Sequence, residues 1–158
     1  VPLVCIAGVG MSSDAGDIVA PDIDGAARAM QLALADAGLA AADIDYINAH
    51  GTGTAVNDAA ETKAIHRVFG AHAAQLAVSS TKSSHGHALG AAGALELIAV
   101  IGSLRNSIVP ATLNLDAKDP ECDLDYVAEG PRHLAIKAAL SNSFAFGGLN
   151  AVLAVTRE

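Results

Sequence analysis

Lys82, His85 and His87 stand close together in STKSSHGHALGAAGALE, and a further histidine, His50, stands in NAHGTGT. A neutral imidazole donates an N–H to an oxygen that becomes negative, and two such donors at one oxygen form an oxyanion hole. A neighbouring ammonium group holds the surrounding proton network in register. The Lys and His pair lead into a long apolar segment, in which Glu96 and Ser103 are the only other polar side chains between His87 and Leu104. A helix with no solvated face is buried all round. At its N-terminal end the dipole disfavours a protonated imidazole, which suits a neutral donor.

Other chemistries fit these residues less well. Gly51 and Gly53 start like a dinucleotide fingerprint, but GTGTAV lacks the third glycine at the required spacing. His50, His85 and His87 have no carboxylate at a familiar metal-ligand spacing beside them. Ser141 and Ser143 lack the GxSxG elbow of a serine nucleophile. Cys5 falls within an expected strand, where burial keeps a thiol inert. A membrane-spanning role for the apolar segment is opposed by Glu96 at its middle and by the lack of flanking aromatics.

The elements that must position these residues follow from periodicity. Leu3 to Val9, Ile44 to Ala49, Leu76 to Ser79, Ile136 to Ser141 and Ala151 to Thr156 read as strands. A helix capped by Asp22 or Asp24 runs to about Asp36 and ends at Gly38, and a second runs from about Asp58 to Phe69. GVGMSSDAGDIVAPD reads as a loop, residues 106–133 as an irregular surface excursion, and NSFAFGGLN as a tight connection. The alternation predicts an α/β fold with a mostly parallel five-stranded sheet, one antiparallel edge, helices on both faces and a central buried helix. NAHGTGT, STKSSHGH and NSFAFGG then converge at one edge.

Of the 158 residues 52% are hydrophobic and 16% charged, more buried in character than a free-standing domain of this size. The net charge of −8 opposes nucleic acid or an anionic membrane as partner. Two cysteines make neither a disulfide scaffold nor a zinc site, and a reducing, cytoplasmic setting is the simplest expectation. Val1 opens directly into a strand-like run, as expected of a piece of a longer chain.

NAHGTGT, STKSSHGHALGAAGALE and SNSFAFGGLN together resemble the C-terminal half of a β-ketoacyl synthase, most closely the 3-oxoacyl-[acyl-carrier-protein] synthase II type. The resemblance implies a thiolase-like fold in which residues 1–158 form the C-terminal domain. It implies that His50 and His87 polarise a malonyl thioester during decarboxylation, with Lys82 beside them and Glu96 steadying the network. Thr52 and Thr54 match hydroxyls at a phosphopantetheine entry, and Phe144, Phe146, Gly147 and Gly148 match the gating loop beside an acyl pocket. His85 occupies a position where the family more often has Thr, so it is a neighbour of the chemistry. No resident cofactor or metal is implied, since the substrate rides on the phosphopantetheine of an acyl carrier protein. The implied partners are that carrier, an N-terminal half of the same chain and a second copy in a homodimer.

Two departures stand out. The family's nucleophilic cysteine belongs to the N-terminal half, and neither Cys5 nor Cys122 matches its context, so the chain alone is expected to be inactive. Ala145 stands where the family usually has Gly, and is expected to be strained if that position needs positive φ. A polyketide ketosynthase and a non-catalytic chain-length or scaffold subunit share these motifs. Apolar surface meant for the other half is expected to make the chain self-associate.

Overall fold

The contact between the first strand and the first helix sets the geometry of the sheet. In the computed structural model, which describes residues 2–158, β1 (Cys5–Ser13) lies directly against α1 (Ile23–Ala37). A Cβ atom added at Gly10 would stand 2.0 Å from the Ala29 carbonyl oxygen, so only glycine permits this approach. α1 starts where Asp22 accepts the Asp24 N–H and ends at Gly38, and its Ala26, Met30, Ala33 and Leu34 stripe is buried.

The remaining elements, in chain order, are β2 (Tyr46–Asn48), α2 (Ala55–Phe69), β3 (Ala77–Ser79), the single turn α3 (Lys82–His85) and α4 (Ala92–Asn106). They are followed by β4 (Ile108–Val109), β5 (Arg132–His133), β6 (Ala138–Ala145) and β7 (Leu149–Thr156). α2 begins three residues before the expected Asp58, because Thr54 is extended and its carbonyl already accepts the Asp58 N–H.

The main sheet has the order β1-β7-β6-β2-β3. β6 pairs with β2 and β2 with β3 in parallel, whereas β1 with β7 and β7 with β6 are antiparallel. Four strands, β1, β6, β2 and β3, therefore run the same way and only β7 opposes them, so the sheet is mixed and mostly parallel in direction, as expected. The antiparallel strand is not at an edge as expected: β7 lies between β6 and β1, which adds to the outside of the closing hairpin. Gly10 to Ser13, expected as loop, pair there with Val152 to Leu149, since a backbone ladder can hold glycine and serine in a strand.

Side chains alternate across the sheet. Ile47, Val78, Leu140 and Ala154 face α1 and α2, and Tyr46, Ala77, Ala139 and Val155 face α4. Helices thus cover both faces, as expected. α4 is not buried all round: Val100 and Leu104 point inward, while Leu95 and Ile98 are exposed, Ile98 to 65%. Only one layer of chain lies on that side, so nothing here covers its outer face. By length and composition the stretch Leu89–Asn106 could cross a membrane, but it carries the buried Glu96 and lies against β6. α4 also starts later than expected, after a 3-10 turn at Leu89–Ala91, so His85 and His87 sit on α3 and the link that follows, not at its N-terminus.

Residues 107–133 are better anchored than a surface excursion. β4 and β5 form a small antiparallel sheet, and the Val78 N–H donates to the Asp125 carbonyl at 2.8 Å, covering the β3 edge. Cys5, expected to be buried, opens an edge strand and is exposed, while Cys122 is half-buried. Ala145 closes β6 opposite Leu149 and has no positive φ, so the expected strain is absent. The turn residues Gly147 and Gly148 take that conformation instead.

Gly10→Ala should destabilise the fold by about 1–3 kcal/mol through overpacking against α1. Gly16→Ala, where an added Cβ meets nothing within 4 Å, should stay within about 0.5 kcal/mol of the parent. Urea denaturation of the two variants checks the pair.

Candidate active site

His50 follows β2 at the C-terminal edge of the parallel strands, and two backbone N–H groups hold it there. Its own N–H donates to Glu61 Oε1 at 2.9 Å, and the Gly51 N–H donates to Glu61 Oε2 at 2.9 Å. Asn142 Nδ2 on β6 donates to the same carboxylate at 3.0 Å, so α2, β2 and β6 are joined at one buried group. Burial pushes the Glu61 carboxyl above its usual range, and these donors pull it back.

Gly51 has φ +41 and Ser80 packs against it, where an added Cβ would stand 2.6 Å from the serine Cβ. Ser80 Oγ donates to the Gly51 carbonyl at 2.6 Å. This fixes the loop after β2 to the loop after β3, which delivers Lys82. Lys82 is buried and ion-paired with Glu96 on α4. Burial raises the Glu96 carboxyl and Lys82 opposes the rise. The second Glu96 oxygen and Asn48 Oδ1 are buried without a partner among the described residues.

The His50 and His87 rings meet edge to face with centroids 5.7 Å apart. His50 also lies 5.8 Å from the Phe144 ring, between the two. Burial, then the Lys82 charge, then His87 lower the His50 pKa to about 3, so its ring is neutral at ordinary pH. His87 is exposed, and its Nδ1 accepts the Leu89 N–H at 3.2 Å, which leaves its proton on Nε2. Two imidazole N–H donors beside a paired ammonium are equipped to stabilise a developing oxyanion.

A groove of about 1230 Å³ runs away from this point, lined among others by Thr52, Thr54, Lys82, His87 and Tyr126. Thr52 and Thr54 hydroxyls share a 2.9 Å hydrogen bond on its wall. His50 sits behind the groove, 9% exposed, and is reached past His87. Residues 112–129 form the outer wall, tied by Tyr126 to Thr62 and by the Leu113 N–H to Ser83 Oγ at 2.9 Å.

The structure thus brings His50, His87, Lys82, Glu96, Thr52, Thr54 and Phe144 together. It places Phe146, 78% exposed, apart at the tip of the β6–β7 hairpin with Gly147 and Gly148. The tip is held by the Gly147 N–H to the Ile18 carbonyl and the Asp14 N–H to the Gly148 carbonyl. Sequence reasoning missed Glu61, Asn142 and the groove wall. The available signal for Glu61 was a carboxylate on the apolar stripe of α2, directly after Ala60 and four residues before Ile65.

The profile of the family described as beta-ketoacyl synthase, C-terminal domain, matches residues 3–116. Nodulation protein E of Rhizobium meliloti is 54% identical over 149 residues, which cover 94% of this chain and 37% of that protein. The 3-oxoacyl-[acyl-carrier-protein] synthase 2 of Synechocystis is 51% identical over 149 residues, covering 93% of this chain and 36% of that protein. A solved type II polyketide synthase acyl-carrier protein in complex with its ketosynthase superposes with a TM-score of 0.95 at 35% identity, covering 99% of this chain and 39% of that one. The chain spans little more than a third of the length of the curated relatives it matches. By sequence and by its thiolase-like fold alike, this chain belongs to the β-ketoacyl synthases, through their C-terminal domain.

Proposed function

We propose that this chain supplies the decarboxylating half of a 3-oxoacyl-[acyl-carrier-protein] synthase that elongates acyl chains in fatty acid biosynthesis. The reading rests above all on one observation: His50, neutral, and His87 meet edge to face beside a buried Lys82–Glu96 pair at the head of a groove. A malonyl thioester enters along Thr52 and Thr54. Its C–C bond to the carboxylate breaks, CO₂ leaves, and the electron pair moves to the thioester oxygen as an enolate held by the two imidazole N–H groups. The enolate carbon then attacks an acyl thioester on a cysteine contributed from outside these 158 residues. The new C–C bond forms and the cysteine thiolate departs.

In this reading Lys82 is held by Glu96, and burial first and then the Lys82 charge keep His50 neutral. Phe144 packs the far side of His50, and the Phe146 hairpin tip stands where it can gate the acyl chain. An acyl carrier protein delivers the substrate, a homodimer is the working assembly, and the setting is cytoplasmic. No resident cofactor takes part. The similarity to a synthase 2 favours fatty acid elongation, and the similarities to nodulation protein E and to a polyketide ketosynthase keep a specialised acyl product as the alternative. A non-catalytic scaffold has no need of the two histidines and the lysine together.

Three outcomes follow. Purified alone, the 158-residue chain should not elongate acyl chains from malonyl-carrier substrate in a product assay, because it brings no nucleophile. In a full-length enzyme carrying this domain, His87→Ala should lower malonyl decarboxylation by about 10²–10³-fold, the usual loss on removing one oxyanion donor. Decarboxylation unchanged in that variant would favour the scaffold. Because the folded His50 pKa lies below its unfolded value, its stabilising contribution is complete above about pH 6.5 and is lost as pH falls towards 3. Urea midpoints should therefore drop on acidification through that window, by up to ~1.4 kcal/mol per pH unit from this group. His50→Gln should flatten this limb, and the difference between the two proteins excludes the opposing effect of Glu61.

A further inference from the structure

His85 plays no part in the chemistry above, yet both of its ring nitrogens are engaged. Nδ1 lies 2.8 Å from the Gly86 carbonyl oxygen, which can only accept, so Nδ1 carries the proton. Nε2 is then a bare acceptor in the neutral ring, 3.3 Å from Thr81 Oγ1. Thr81 Oγ1 already takes an N–H from the buried Asn48 Nδ2 at 3.2 Å, so its own hydrogen is free to turn to His85. Every donor in the sequence Asn48 to Thr81 to His85 to Gly86 points the same way.

This relay surrounds the residue that matters. Thr81 immediately precedes Lys82, and its carbonyl accepts the N–H groups of Ser84 and His85 at 2.9 and 3.3 Å, closing the single turn that carries Lys82. His87 has the opposite constraint, since a backbone N–H donates to its Nδ1. Two histidines two residues apart therefore hold their protons on different nitrogens.

We propose that His85 is a positioning residue of this site: as the Nδ1–H tautomer it receives the Thr81 hydroxyl, and the relay from Asn48 through Thr81 fixes the turn that aims Lys82 at Glu96. The catalytic part of this proposal rests on the condensing-enzyme reading, and the structural part does not.

Long-range ¹H–¹⁵N correlation spectra of the chain with ¹⁵N-labelled histidine, taken at about pH 8 where an ordinary imidazole is neutral, read the tautomer of each ring. His85 should carry its proton on Nδ1 and His87 on Nε2. Thr81→Val removes the hydroxyl and should move His85 towards a mixture of tautomers, and Thr81→Ser, which restores the hydroxyl, should return it. In a full-length enzyme, His85→Ala should lower kcat for malonyl decarboxylation by about 2- to 10-fold, the range of one lost hydrogen bond, with KM unchanged. A wild-type His85 protonated on Nε2, a tautomer indifferent to Thr81→Val, or a kcat unmoved by His85→Ala overturns the proposal. Failure of the condensing reading shows separately, as wild-type full-length enzyme that does not decarboxylate malonyl thioester while the tautomer pattern stands.

Discussion

One buried carboxylate organises the catalytic edge of this domain. Glu61 receives two consecutive backbone N–H groups, those of His50 and Gly51, and the side-chain amide of Asn142. Hydrogen bonds to a charged acceptor are about twice as strong as neutral ones, and leaving such donors buried without a partner costs the full desolvation penalty. The chain therefore cannot release the loop after β2 without exposing three donors and a carboxylate together. α2, which has few large apolar residues of its own, is held in register with the sheet by that same group.

Around this anchor the electrostatics separate into two compartments. Lys82 and Glu96 neutralise one another on the α4 side of the sheet, while Glu61 is satisfied by backbone and amide donors on the side of α1 and α2. His50 resists protonation because it is buried and, second, because the Lys82 ammonium is near. An uncharged donor at that point is the product of its surroundings, not of the imidazole itself.

Where the sequence carried its own local punctuation, the fold was legible. Asp22 and Gly38 bound α1 as a capping residue and a helix end should, and the hydrophobic stripes place β2 and β3 correctly, whereas β6 runs on to Ala145 through residues read as the tight connection. The site was legible through motif: His50, Lys82, His87 and Glu96 do meet. β1 was ended too early because Gly10, Ser12 and Ser13 carry no strand propensity, and their strand is imposed by pairing with β7 and by the nearness of α1. The outer face of α4 was read as buried because apolar composition tells how much surface a helix can bury, not how much chain is present to bury it. Glu61 was overlooked because its partners are backbone amides, which no side-chain pattern reveals.

The close contact of Gly51 with Ser80 has a mechanical result. With no room for a methyl group between them and a 2.6 Å hydrogen bond across the gap, the two loops behave as one stiff bracket. The outer wall leans on this bracket, since Thr112 Oγ1 accepts the Ser80 N–H at 3.1 Å and Ser83 Oγ accepts the Leu113 N–H at 2.9 Å. The channel that admits a ligand and the pair that sets the proton inventory are thereby built on one frame.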